Sequence, residues 1–134
     1  IWEDRTLTVE SIPLKHKVPT CGFLFTERHR NQAPRKRYAY CSDTAYREQI
    51  VEQIAGVDVL YHEATYTEKD VDKCKKHTHS TAKQAANIAR MAGVGKLVIG
   101  HFSAREDNHN VFLEEAKDVF ENTVLAVERT TIDI

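Results

Sequence analysis

Apolar and polar residues alternate over 6–14 through Leu7, Val9 and Ile12, and a short-period apolar pattern returns at 22–26 after the Val18-Pro19-Thr20 break. A side-chain period of two marks a strand with one buried face, so the first third of the chain is predicted to be β. A polar, basic connector containing Pro34 fills 28–35, and 37–41 forms a third strand that stops at Ser42-Asp43-Thr44. Tyr46, Ile50, Val51 and Ile54 then recur at helical spacing, with Gly56 where a helix would end.

The strand-then-helix unit repeats. Residues 57–61 form a short apolar strand running into His62-Glu63-Ala64-Thr65, and 68–76 is a polar helical stretch. Ser80 stands where it can cap a helix whose apolar face is Ala82, Ala85, Ala86, Ala89 and Ala92, closed by Gly93. Such a face lets the helix backbone approach a neighbour closely. Residues 96–100 read as a strand ending at His101; Phe112, Leu113, Ala116, Val119 and Phe120 define a last helix; 123–127 returns to strand. Strands alternating with helices give an α/β layered fold with helices over one face of a sheet, and 1–134 reads as a single domain.

Composition narrows the class. With 134 residues and 41% hydrophobic content there is material for one core. No apolar run approaches the roughly eighteen residues of a membrane span, and the amino terminus lacks the basic-then-apolar order of a signal peptide, so a cytoplasmic protein with no membrane partner is expected. The first residue is Ile1, which makes the chain an expected part of a longer protein. Cys21, Cys41 and Cys74 lie far apart without a C-x-x-C pair and read as packing residues of a reducing compartment. A net charge of −1 and a pI near 6.7 exclude a global positive field, which leaves two local basic clusters. One is Arg28, His29, Arg30, Arg35, Lys36 and Arg37; the other is Lys73, Lys75 and Lys76 with His77 and His79. Taken alone, each reads as a solvated loop or helix end.

Three polar groups fall at the carboxyl ends of predicted strands: Asp43, His62-Glu63 and His101. Strand ends on one edge of a layered α/β protein converge, so residues distant in sequence share a cleft. Imidazole and carboxylate are the donors of a Lewis-acidic zinc site. On spacing alone the plainer readings lead: Asp43 capping the next helix, and His101 satisfied in the core.

Five strings change that weighting. They are P-L-K-H-K-V-P at 13–19, S-D-T at 42–44, L-Y-H-E-A-T at 60–65, H-S-T-A-K-Q-A-A at 79–86 and G-H-F-S-A-R at 100–105. In type, order and spacing they resemble ribonuclease Z, a zinc-dependent phosphodiesterase of the metallo-β-lactamase fold, over nearly the whole chain. The resemblance implies the C-terminal half of an αββα sandwich, a mixed sheet covered by helices. It also implies that His16 and His101 are terminal zinc ligands, that Asp43 bridges two zincs, and that His79 assists proton transfer. A carboxylate can span ions about 3.5–4 Å apart, and imidazole cannot. Glu63 would orient His79 or another ligand; the alternative, a residue opening the next helix, stays open. Arg105, Lys75 and Lys76 would contact the substrate.

Three departures accompany the resemblance. The family's H-x-H-x-D-H motif, which supplies most ligands, occurs nowhere in the chain; His77-Thr78-His79 has the spacing but continues as S-T-A. The long arm that clamps tRNA in this family would fall between Glu27 and Tyr38, where the connector 28–37 holds only ten residues. Glu106 stands where the family has an aromatic residue. The expected function is 3′ processing of precursor tRNA by a two-zinc, homodimeric enzyme whose N-terminal half completes the site, this chain alone being inactive. Two alternatives are a hydrolase of a small phosphodiester and a non-catalytic half that binds tRNA or a partner.

Overall fold

Among the described residues, one sheet of seven strands runs in chain order: β1 (Trp2–Glu3), β2 (Leu7–Pro13), β3 (Cys21–Glu27), β4 (Arg37–Cys41), β5 (Val59–Glu63), β6 (Lys96–Gly100) and β7 (Thr123–Leu125). The protein is described as a computed structural model covering residues 2–28 and 35–134, so 29–34, at the centre of the short connector, lie outside the described residues. The strands β1 to β4 pair antiparallel, and β4 to β7 pair parallel. Parallel neighbours need crossovers. These are a short 3₁₀ segment before β5, the helices α1 (Val71–His77) and α2 (Ala82–Ala92) before β6, and α3 (Asn110–Lys117) before β7. The mixed α/β sheet expected from the sequence is present.

Alternation along the strands divides the sheet's two faces. Ile12, Leu24, Ala39, Cys41, Leu60, Leu97 and Ile99 join the alanines of α2, with Ile88, Phe112 and Ala116, in the buried core. The other face carries aromatic side chains. Phe25 stacks on Tyr38 with centroids 5.7 Å apart, and Tyr40 on Tyr61 at 4.8 Å. Gly22 keeps β3 and β4 close, since a Cβ there would run into the Tyr40 carbonyl oxygen.

Several local expectations are corrected. Residues 46–56 do not form an α-helix: a 3₁₀ turn, Glu48–Ile50, is followed by tight turns with the i+3 bonds Val51 N–H to Glu48 O and Val57 N–H to Ile54 O. The Arg37 guanidinium takes the carbonyls of Ala55 and Gln53 at 2.7 and 3.3 Å and ends the segment, although Ile50 and Ile54 are buried as their spacing required. Thr81, and not Ser80, caps α2. Its hydroxyl accepts the Gln84 N–H while the Gln84 side chain accepts the Thr81 N–H, a reciprocal box worth about 1 kcal/mol. Ser80 instead donates to the Thr44 carbonyl at 2.7 Å, tying the start of α2 to the loop after β4. The last helix stops at Lys117, before Val119 and Phe120, which still pack on the core. Cys41 and Cys74 are buried, and that burial pushes both thiols up to about 12, but Cys21 lies exposed at the start of β3 and packs no core. Among the described residues no helix is long and apolar enough to cross a membrane.

Candidate metal centre

Parallel register sets the site. Cys41 pairs with His62 and His62 with Ile99, so the segments leaving β4, β5 and β6 emerge side by side. They carry Asp43, Glu63-Ala64-Thr65 and His101. The loop between β2 and β3 brings His16 to the same edge, and the turn joining α1 to α2 brings His79.

Asp43 stands between two imidazoles. Its Oδ2 is 4.0 Å from His16 Nε2 and its Oδ1 is 3.5 Å from His101 Nε2, one oxygen toward each ring. The sequence-level alternatives fail here. The 3₁₀ turn begins beyond Arg47, so Asp43 caps no helix, and the His101 side chain is 48% exposed rather than satisfied in the core.

Hydrogen bonds fix which ring nitrogen is available. His16 Nδ1–H donates to the Thr78 carbonyl at 2.9 Å, with the Thr78 hydroxyl at 3.0 Å. The Thr65 hydroxyl donates to Glu63 Oε2 at 2.9 Å, so its lone pair accepts His101 Nδ1–H at 2.8 Å. Both rings are therefore held through Nδ1 with Nε2 turned toward Asp43, the orientation that ligating histidines adopt. This geometry uses two left-handed residues, Thr78 at φ 58° and His101 at φ 61°.

His79 lies closer to this centre than the sequence suggested. Its ring is 5.0 Å from that of His16 and 5.4 Å from that of His101. Two sets of ligand atoms lie within 4.8 Å of one another: His16, Asp43 and His79, and Glu63, His79 and His101. The second set is not an open site. Glu63 Oε1 accepts Thr44 N–H at 3.0 Å and His79 Nδ1–H at 2.7 Å, and Oε2 accepts the Thr65 N–H at 3.0 Å as well as its hydroxyl. Four donors exhaust a carboxylate's lone pairs. Glu63 thus orients His79 and Thr65 and opens no helix, while Asp43 keeps its oxygens free for a cation. An oxygen and imidazole donor set without thiolate suits a catalytic divalent metal.

The same pairing shifts two titrations. The hydrogen bond to Glu63 raises the His79 imidazole above its ordinary 6.5. Burial alone would push Glu63 up, but the His79 and Thr44 donors outweigh it and hold the carboxyl below 4.5. A raised histidine stabilises fully below its unfolded value and loses this as pH rises through the folded one; a depressed carboxylate stabilises above its unfolded value and loses this as pH falls through the folded one. The pair therefore contributes most between pH 4.5 and 6.5. We expect the metal-free chain to show a maximum of melting temperature in that window, and Glu63→Gln to lower and flatten the profile; a variant profile with the same shape would mean the pair is not formed.

The remaining sequence candidates divide. Lys75 and Lys76 are exposed on α1, and Arg105 is exposed on the loop after β6. His77 belongs to no metal-capable cluster among the described residues. Loss of hydration first, then the cations Lys17 and Lys76, hold its imidazole below the ordinary value, which marks a positive rim beside the site. Glu106 pairs with Lys69 at 3.0 Å. Thr65 and Thr78, which hold the rings of His101 and His16, had no role in the sequence reading. Thr65 was legible as a hydroxyl two positions after the carboxylate, whereas the role of Thr78 depends on a left-handed backbone that no pattern announces.

Residues 2–102 match the family described as Beta-lactamase superfamily domain. The chain belongs to this superfamily. Within it, the whole chain is 40% identical over 177 aligned residues to a Ribonuclease Z of Bacteroides fragilis strain YCH46, of which it covers 58%. It is 46% identical over 161 residues to a Ribonuclease Z of Azobacteroides pseudotrichonymphae, of which it covers 56%. The chain thus spans little more than half the length of these superfamily relatives. Human tRNase Z, short form, superposes over the whole chain and 46% of its own length with a TM-score of 0.79 at 26% identity. A long form RNase Z from yeast, at 18% identity and a TM-score of 0.74 over 92% of this chain and 17% of its own, shares the fold. The fold is that of the metallo-β-lactamases.

Proposed function

We propose that this chain is the C-terminal part of a zinc-dependent endoribonuclease that cuts precursor tRNA at its 3′ end. The observation that carries the chemistry is the Asp43 carboxylate set between two imidazoles whose Nδ1 atoms are already occupied. Similarity to proteins named Ribonuclease Z supports the choice of RNA as substrate. His16, Asp43 and His101 would hold zinc, the Asp43 carboxylate lying between the two imidazoles. Bound zinc would supply Lewis acidity, acidifying a water and offsetting charge on the phosphate. His79, kept protonated to higher pH by Glu63, would give a proton to the departing 3′ oxygen. Arg105, Lys75 and Lys76 would meet the RNA backbone.

The missing ligands would come from an N-terminal half carrying H-x-H-x-D-H, and the assembled protein would be a homodimer acting in the cytoplasm. The alignments run over 161 to 177 positions against 134 residues here, so the relatives carry additional residues inside the matched span. We place these in the connector 28–37, between the antiparallel strands β3 and β4 where Thr26 stands opposite Arg37. The test is to mix the chain with a separately made N-terminal segment containing the motif, add zinc, and follow precursor tRNA beside a chromogenic phosphodiester. Cleavage leaving a 3′ hydroxyl on the tRNA is expected. Cleavage of the small ester alone would replace the substrate, and a pair that binds tRNA without zinc uptake or cleavage would leave a binding module.

A further inference from the structure

The segment 68–83 carries His79 and the Thr78 that holds His16, yet over 68–79 only Cys74 is buried. Apolar packing therefore contributes little to fixing the turn at 77–79, and polar ties at the ends of the segment must set its position. One such tie lies outside the chemistry described above. Glu115, on α3, accepts the Glu68 N–H on Oε2 at 2.9 Å and the Lys83 N–H on Oε1 at 3.0 Å.

Both N–H groups belong to the openings of helical turns. Glu68 begins the 3₁₀ turn Glu68–Asp70 that runs into α1, and the Thr67 side chain does not cap it. Lys83 is the second residue of α2, and the box between Thr81 and Gln84 leaves its N–H unserved. The first N–H groups of a helix have no partner within it, and a carboxylate there also meets the positive end of the peptide dipoles. The two ends are tied to each other as well, since the Thr81 hydroxyl donates to Glu68 Oε1 at 2.6 Å. Glu115 joins both to α3, which packs on the core through Phe112 and Ala116.

We propose that Glu115 is a positioning residue of the metal centre: by capping both ends of 68–83 it sets the turn that aims His79 and holds the ring of His16. Its effect on turnover rests on the ribonuclease reading; the placement of the two rings does not. The role requires a carboxylate, because each N–H needs its own acceptor oxygen, whereas an amide offers one oxygen and turns donors toward the other N–H.

The test compares the full chain with its Glu115→Gln variant by nuclear magnetic resonance in chelator. In the unsubstituted chain the ring N–H protons of His16 and His79, bonded to the Thr78 carbonyl and to Glu63, should be visible. The substitution should remove both signals and speed amide exchange at Thr78 and His79 about tenfold, the scale of one charge-assisted hydrogen bond, while exchange at Leu97 to Ile99 in β6 stays the same. Glu114→Gln, on the exposed neighbouring residue, should change none of these. Ring signals absent from the unsubstituted chain or persisting in Glu115→Gln would overturn the proposal, and so would exchange that rises equally in β6, the mark of a general loss of stability. In the reconstituted protein, at saturating zinc and precursor tRNA, kcat should fall about tenfold in Glu115→Gln. An unchanged kcat would sink the positioning role alone, and a local loss of ring signals in a protein that never cleaves tRNA would sink the ribonuclease and leave the positioning role.

Discussion

His101→Ala should strip zinc from the reconstituted protein and remove its turnover together. His101 is one of two imidazoles facing Asp43, and its Nε2 is set by the bond from Nδ1–H to Thr65. In the proposed site alanine would delete a ligand outright, whereas loss of a group that only orients a ligand costs about 10–100-fold in metal affinity or activity. The expected fall in kcat/KM therefore exceeds 100-fold. Zinc content by atomic absorption and a cleavage assay on one preparation decide it, and retention of both quantities would remove His101 from the metal. Substitution at this position also relieves no core packing, since the side chain is half exposed, so the folded state should survive to be assayed.

His79→Ala should separate what His101→Ala joins. A positioned acid contributes about 10²–10⁴-fold, so kcat is expected to fall by that factor while zinc content stays near that of the unsubstituted protein. The geometry makes this a demanding test, because ligand atoms of His16, Asp43 and His79 lie within 4.8 Å of one another. What argues for a proton donor is the saturated Glu63 behind it, which holds Nδ1–H at 2.7 Å and raises the imidazole's affinity for a second proton. A loss of zinc as large as that of His101→Ala would make His79 a ligand instead.

The sequence foretold these placements unevenly. The strand ends were legible because a period of two and a stop at a polar residue identify both the buried face and the edge where Asp43 and His101 emerge. Helical spacing misled at 46–56, where Ile50 and Ile54 satisfy the core through tighter turns and Arg37 claims the carbonyls that would extend them. Ser80 and Thr81 are chemically near-equal caps, and only the contact of Ser80 with Thr44 decides between them. Proximity of His79 to both flanking imidazoles, and the hydroxyl of Thr65 serving Glu63 and His101 at once, arise from three-dimensional closure and have no counterpart in spacing. The resemblance named the residues; the proton bookkeeping came from the structure.

The positive φ angles at His101 and Thr78 carry a thermodynamic corollary. Each left-handed non-glycine residue costs about 1–3 kcal/mol, and both lie where the imidazoles are aimed. A cation held by those rings, as proposed, would bind only the native chain, so its concentration would set the melting point and recover what the backbone has forfeited. Depleted of divalent ions, the molecule should loosen first at the exit of β6, and amide exchange at Gly100 to Phe102 would report that release before any global unfolding.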